Sequence, residues 1–548
     1  MQDQAVFVGA AGVATVAVFW ILKRLTAGSK RAPSKSAPAV TKLARMRAPQ
    51  DGASSVVVPA KLKPVGVYVM MPLDVRECEL GTLKAWLVKL KDAGVRGVMM
   101  DFWWSAVESK PEVYDWTCYD PIVELCEHLG LKMQAVMSFH VCGECDGDGA
   151  FVPLPDWIQR LSEEDPDILF LDEKGNKSAE CLSFGVDHER IFPGKRGPKT
   201  RTAIDMYKGF MKSFCHHYKA YLSSTIVEVQ VGMGPSGELR YPSYSLSKWT
   251  FPGIGMFQCF DKRLRADCRW KTWADVPAKA VGSYNDIPED TSMFLIGTTA
   301  ISEKAKRFFL TWYFERMYQH GSDVLRAAND VFDSSTGVVL SGKVAGIHWF
   351  RKHPSRAAEA VAGYYCTKEF NAYEKIAELF KKNKTVFLFT CLEKADQNES
   401  PHALASPEAL VRETSAFCAK HRVLYGGENA LEFKDAVSYQ MILDQVNACQ
   451  TRGVDFVSFT LLRLDETLVS GKHYDLFCSF VAELGRDLSR NDVRKHALRV
   501  KYFRDMTSFS VTEERKRIIV KTGHNPAYTI RVGRSSRASG RRTQALRC

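Results

Sequence analysis

The sequence predicts an α/β fold, a (β/α)8 TIM barrel with long active-site loops. Three observations predict it: eight short apolar runs recur along the middle of the chain, amphipathic helical stretches separate them, and polar or aromatic residues gather directly after the runs. Runs that are apolar without clean alternation suit strands covered on both faces. Strands that alternate with helices point to a parallel sheet, and eight of them to a closed barrel.

The runs are GVYVMM (66–71), VRGVMMD (95–101), LKMQAVMSF (131–139), IVEVQVG (226–232), KVAGIHW (343–349), TVFLFT (385–390), RVLYGG (422–427) and DFVSFTLL (455–462). Between them, Leu83, Trp86, Leu87 and Leu90 fall at helical spacing ahead of Gly94. Tyr207, Phe210, Met211, Phe214 and Tyr218 do the same ahead of the fourth run. Ser406-Pro407 reads as an N-cap followed by the first helical residue. No internal repeat is visible. Additional active-site structure is expected in the long connections, 140–203 and 233–342.

A chain of 548 residues, 45% hydrophobic and 25% charged, has ample material for such a core, and barrels run long as one domain. The net charge of +12 is uneven. Residues 23–63 carry ten Lys or Arg against Asp51, and residues 511–548 carry ten against Glu513 and Glu514. These stretches hold more than the whole positive excess, so the body between them is mildly acidic and no nucleic-acid partner is expected. The 15 cysteines are odd in number and scattered, unlike a secreted disulfide framework.

Residues 5–22, AVFVGAAGVATVAVFWIL, are uncharged and run into Lys23-Arg24. Their length lies near the lower end of the ~17–25 residues that span a bilayer. Only MQDQ precedes them, so a basic secretory n-region is missing. Two readings stand: a membrane anchor with the following domain in the cytosol, or a cleaved organelle-targeting segment. The expected organisation is a hydrophobic segment and basic linker over 1–63, a catalytic domain over 64–510, and a disordered basic tail over 511–548.

In a barrel of this kind the active site lies at the C-terminal ends of the strands. The second run ends at Asp101, followed by Phe102-Trp103-Trp104, and the third at His140. GMGPSGELRYPSY, with Glu238, follows the fourth; the fifth carries Lys343 and His348-Trp349. Thr390-Cys391-Leu392-Glu393 follows the sixth, Glu428-Asn429-Ala430-Leu431 the seventh, and Arg463 and Asp465 the eighth. Acids bond hydroxyls and flat rings stack on sugar faces, so this rim suits a carbohydrate. Hydrolysis of a glycosidic bond needs two carboxyl groups; Glu238 and Glu428 come from separate sides of the barrel mouth, which permits the ~6.5–9.5 Å gap that inversion requires.

GMGPSGELRYPSY, GGENAL, FTCLE, MSFHVCG, DFWW and FPGIGMFQCFDK strongly resemble β-amylases of the plant type, in the family's order, from about Val65 to about Arg490. The resemblance implies exo-hydrolysis of α-1,4-glucans from the non-reducing end with release of β-maltose, and no cofactor or metal. It implies that Glu238 is the general acid and Glu428 the base that activates water. It implies sugar contacts from Asp101, His140, Asp148, Lys343, His348, Trp349, Thr390, Glu393, Asn429, Ala430 and Arg463. It assigns Gly143–Gly149 to a mobile lid and Thr390 with its neighbours to an inner loop.

Plainer readings stand beside these. Glu393 could only orient its neighbours, His140 and His348 could be satisfied core histidines, and Trp103 and Trp104 read as packing. The chain departs from the family pattern in a shortened loop MMPLDVRECELGTL, in Ser105, Phe350 and Leu462, in an insertion at KRGPKT (195–200) and in an acidic lid, CGECDGD. None removes either carboxyl. Cys142 and Cys145 stand at C-x-x-C spacing, where two unlinked thiols, Cys142 packed, are the plainer expectation and a redox pair the sharper one. Two rivals remain: a catalytically weak glucan-binding relative, and a retaining transglycosidase on the same barrel.

Overall fold

Every one of the eight runs contributes a strand. These are β1 (Gly66–Met70), β2 (Gly97–Trp103), β3 (Lys132–Ser138), β4 (Ile226–Val231), β5 (Val339–Val344), β6 (Thr385–Phe389), β7 (Tyr425–Glu428) and β8 (Phe456–Leu461). They pair in parallel in sequence order and β8 returns to β1, closing the barrel. The structure, a computed structural model, describes residues 61–143, 150–268, 281–295, 301–486 and 488–489. The apolar run 5–22, the tail after 510, Asp148 and Cys145 therefore lie outside the described residues. No helix among the described residues is long and apolar enough to cross a membrane.

A helix follows each strand: α1 (Leu80–Asp92), α2 (Asp120–Leu129), α3 (Ala203–His217), α4 (Glu303–Asn329), α5 (Ala372–Lys382), α6 (Pro407–His421), α7 (Ala436–Thr451) and α8 (Gly471–Leu484). Local chemistry sets their ends. Glu79 caps α1 through Gly81 N and Thr82 N, and Thr202 and Asp205 form a capping box on α3. Gly130 closes α2 at φ 72°, a conformation that glycine adopts without steric cost. The expected apolar stripes face inward: Leu83, Leu87 and Leu90 of α1 are buried, as are Tyr207, Phe210, Met211 and Phe214 of α3.

Three strands depart from the sequence expectation at their ends. The second strand runs on through Phe102 and Trp103. The fifth begins earlier and stops at Val344, because the next backbone groups leave the ladder: Ala345 N–H donates to the Tyr364 hydroxyl (3.0 Å) and Gly346 N–H to the Thr390 hydroxyl (2.7 Å). The seventh opens only at Tyr425, since Arg422 is the left-handed cap of α6 at φ 55°. Ser406 does sit at the N-cap of α6, but its side chain is not the cap. Its hydroxyl donates to Asp396 (2.8 Å), and the other Asp396 oxygen accepts from Glu408 N (3.1 Å).

The main core lies between strands and helices. Within the bore, Met70, Met99 and Val136 form a small apolar plug. At the chain's approach to the barrel, Lys61–Leu62 pair antiparallel with Leu488–Ser489, so ordered pairing starts three residues ahead of the expected boundary at 64. The insertion at 195–200 forms the turn and most of the second strand of a hairpin, Phe192–Gly194 against Gly197–Arg201.

Candidate active site

Backbone geometry brings the conspicuous acid of the fourth connection to the rim. After β4 the chain turns through Pro235–Gly237, with Ser236 and Gly237 both at positive φ (53° and 75°). It then runs alongside β5, where Glu238 bridges Lys343 and Leu239 N–H donates to the Lys343 carbonyl (3.0 Å). The Glu238 carboxyl is buried; Oε2 accepts from Arg240 Nε (2.6 Å) and Oε1 from the Thr390 hydroxyl (3.3 Å). Glu428, the last residue of β7, is also buried, with Oε1 3.0 Å from Lys343 Nζ. The two acids thus meet different cations, a guanidinium and an ammonium.

Burial pushes the Glu428 carboxyl above the usual range, the nearby Lys343 pulls it back, and Glu238 and Asp101 push it up again. Burial works against the charge on Lys343, yet Glu428 and Asp101 outweigh it and raise its pKa, so it stays an ammonium ion. Burial, reinforced by Lys343 and Arg240, pushes His140 down to about 3. Its imidazole is therefore neutral, and its Nδ1 has no protein hydrogen-bond partner.

A cavity of about 420 Å³ opens at this rim. Asp101, His140, Glu238, Lys343, His348, Trp349, Thr390, Glu428, Asn429, Ala430 and Arg463 all line it. Asp101 accepts from the Ser138 hydroxyl (2.7 Å). Trp349 donates its indole N–H to the Gly253 carbonyl (2.9 Å) and packs on Trp249, Phe251 and Tyr244 as an aromatic wall. His348 is held by Gly346 O (2.9 Å from Nδ1), while its Nε2 faces Glu399 at 3.5 Å.

Glu393 stands apart. It does not line the cavity; its carboxylate accepts from Ala430 N (3.1 and 3.0 Å) and Leu431 N (3.1 Å) and so fixes the turn after Glu428. Asn429 completes that turn, accepting from Leu462 N (2.9 Å) and donating to Leu462 O (3.1 Å). Asp148 lies outside the described residues.

Sequence reasoning missed several lining residues. Arg240 sat inside the quoted GELRYPSY motif, and its spacing from Glu238 was the available signal. Trp103, read as packing, lines the cavity edge-on to His140 with its indole N–H on the Leu73 carbonyl (2.7 Å); Trp104 is indeed packing, against Phe139, Trp157 and Tyr207. Cys142 is buried, its Sγ 3.8 Å from the Ala150 carbonyl. Cys391 at the inner loop is buried too, and burial raises its thiol pKa well above the ordinary value, which disfavours a reactive thiolate. Away from the cavity, the fold brings ligand atoms of Glu374, Glu378 and His421 within 4.8 Å of one another, a grouping across two helices that no local spacing could reveal. Lys420 and Lys375 already pair with these carboxylates.

Known proteins share both the sequence and this architecture. Beta-amylase 5 of Arabidopsis thaliana is 41% identical over 444 residues, 77% of this chain and 87% of that protein. The beta-amylase of Medicago sativa is 41% identical over 443 residues, covering 77% and 87%. Among solved structures, the catalytic domain of the beta-amylase from Paenibacillus polymyxa superposes with a TM-score of 0.63 at 27% identity, covering 78% of this chain and 99% of that one. The family model of glycosyl hydrolase family 14 matches residues 68–487, and the chain belongs to that family.

Proposed function

We propose that this chain is an exo-acting, inverting hydrolase of α-1,4-glucans, starch and maltodextrins, that releases β-maltose from the non-reducing end. The observation that carries the reading is the pair of buried carboxyls, Glu238 and Glu428, facing one cavity with separate cationic partners. Glu238 acts as general acid and protonates the leaving glycosidic oxygen. Arg240, 2.6 Å away, stabilises the carboxylate left behind. Glu428 acts as general base: it takes a proton from the water that attacks the anomeric carbon from the opposite face. Burial makes it more basic while Lys343 keeps it ionised. The water adds across the C–O bond, one proton to Glu428 and one from Glu238, and solvent exchange resets both.

In this reading neutral His140, Asp101, Lys343, Asn429 and Arg463 bond sugar hydroxyls, and the Trp349 wall stacks on a ring. Glu393 acts through the turn it holds, and Asp148, outside the described residues, is a further sugar contact. The test is NMR of fresh product from soluble starch. β-Maltose before mutarotation is expected; early α-maltose would establish a retaining enzyme, and no sugar release a glucan-binding relative. Residues 5–22 attach the protein to a membrane in this reading. Full-length protein should resist alkaline carbonate extraction, and native protein beginning near Lys61 would show a cleaved targeting segment instead.

A further inference from the structure

The sugar-facing wall is secured from behind by a charge cluster outside the cavity. The loop after β5 carries His348 and Trp349 and ends in the short helix Ala357–Val361. Its own backbone is awkward: Phe350 and Arg356 are non-glycine residues at positive φ, 50° and 47°. Such conformations persist only when the surroundings over-determine them. Here the surroundings converge on Glu359, a wholly buried carboxylate. It accepts from Arg351 Nη1 (2.8 Å), Arg356 Nε (2.6 Å) and the Tyr373 hydroxyl (3.0 Å). Glu413 of α6 takes the other Arg351 nitrogen (2.7 Å) and is itself held by Asn371 (3.0 Å). Two guanidiniums thus balance two carboxylates, and they clamp the loop to α5 and α6.

The clamp lies close to the substrate face in sequence. Arg351 is two residues beyond Trp349, and between them Phe350 N–H donates to Ala403 O (2.7 Å), so a shift of Arg351 has no slack to absorb it. The loop that carries Glu238 has its own backbone bond to β5, Leu239 N–H on the Lys343 carbonyl. It meets the Ala357–Val361 segment through backbone carbonyls, Tyr241 N–H on Ala362 O (3.1 Å) and the Ser243 hydroxyl on Val361 O (2.8 Å), without using the Glu359 carboxylate.

We propose that Glu359 is a positioning residue that, through Arg351 and Arg356, sets the place of the His348–Trp349 wall and thereby the affinity for glucan. Resting on the function proposed above, the inference separates from it by its readout. Losing interactions made equally to bound substrate and transition state raises KM and leaves kcat. Glu359→Gln keeps shape and an acceptor but loses the charge. It should raise KM for soluble starch about tenfold and weaken maltotriose binding in calorimetry by the same factor, with kcat changed less than about threefold. Measurements are made well below the variant's own melting temperature. Tyr373→Phe, which removes one neutral donor and leaves both ion pairs, should move the same two quantities about threefold, and it decides the matter if Glu359→Gln does not fold. Unchanged KM and unchanged maltotriose affinity, with only the melting temperature lowered, would make Glu359 merely structural and overturn the proposal. If wild-type protein binds maltotriose but hydrolyses nothing, the functional reading fails while the binding shifts still judge Glu359.

Discussion

The barrel bore holds buried carboxyls at both ends and treats them differently. At the rim, Glu238 meets Arg240 at 2.6 Å and Glu428 meets Lys343 at 3.0 Å. Lower down, Glu228 of β4 meets a neutral amide, Gln134 Nε2 at 2.9 Å, and Gln134 in turn accepts from Thr460 across the bore (2.9 Å). Burial raises the pKa of both Glu228 and Glu428, but only Glu428 has a cation pulling it back. Desolvation is common to the two ends, and it favours the neutral acid. Of these bore carboxyls, the two at the rim carry a counter-ion and the one lower down does not. Burial alone would therefore be a poor guide to the site; burial together with a cation that faces a cavity is a better one.

The largest effect that can break this contrast is on rate. Glu238→Gln and Glu428→Gln should each lower kcat on soluble starch by at least ~10²-fold, the lower end for general acid–base groups. Glu228→Gln should leave it within about twofold, because an amide can keep the bond to Gln134 once its orientation is chosen. A Glu228→Gln enzyme as crippled as the rim variants would erase the distinction between rim and floor.

Next comes the turn after Glu428. Glu393→Ala strips the Ala430 and Leu431 N–H groups of their acceptor and should cost about 1–2 kcal/mol in urea unfolding. It should also lower kcat, since Asn429 and Ala430 lose their seat. Full stability with full activity would show that the turn holds itself.

Removing a counter-ion sharpens the comparison by pH. The base must be ionised, so activity is lost as pH falls through the raised pKa of Glu428. Lys343→Met deletes the ammonium that lowers this pKa, and the acid limb of the kcat/KM profile should move to higher pH. A limb that stays in place, or moves down, would show that Lys343 does not tune Glu428.

The smallest effect concerns the floor. Glu228 has a folded pKa above its unfolded value, so the stability its neutral form contributes is present in full below about pH 4.3. It is lost as pH rises through the folded pKa. Glu228→Gln cannot ionise; its melting temperature should exceed wild type at about pH 7, and the gap should close near about pH 4. A constant gap across that range would mean that packing rather than ionisation separates the two proteins.

Much of the fold was legible because its cues are local. Period and apolar content mark strands covered on both faces, and Gly, Thr and Asn at helix ends mark the breaks. Boundaries were read less well where a distant side chain replaced a ladder bond, as Tyr364 does at Ala345 and Thr390 at Gly346. The N-cap position of α6, Ser406, was legible, but the side chain that caps the helix was not: Asp396 reaches it from outside. Trp103 and Trp104 are adjacent and chemically alike, yet Trp103 ends β2 and lines the cavity, whereas Trp104 opens a short helix, Trp104–Val107, and packs in the core.

By itself, then, the sequence determined the class of fold, the family and the two carboxyls, because each is written in residue type and short spacing. Only the tertiary structure decided what surrounds those carboxyls. Arg240 and Lys343 became counter-ions, Glu393 was set beneath the turn after Glu428, and Glu359 was buried behind the aromatic wall. Arg240 is two residues from Glu238, but the other pairings join residues far apart in the chain, and desolvation exists only once the barrel has closed around them. Charge state and orientation are therefore properties of the closed barrel, whereas the identity of the two candidate carboxyls is already present in the chain.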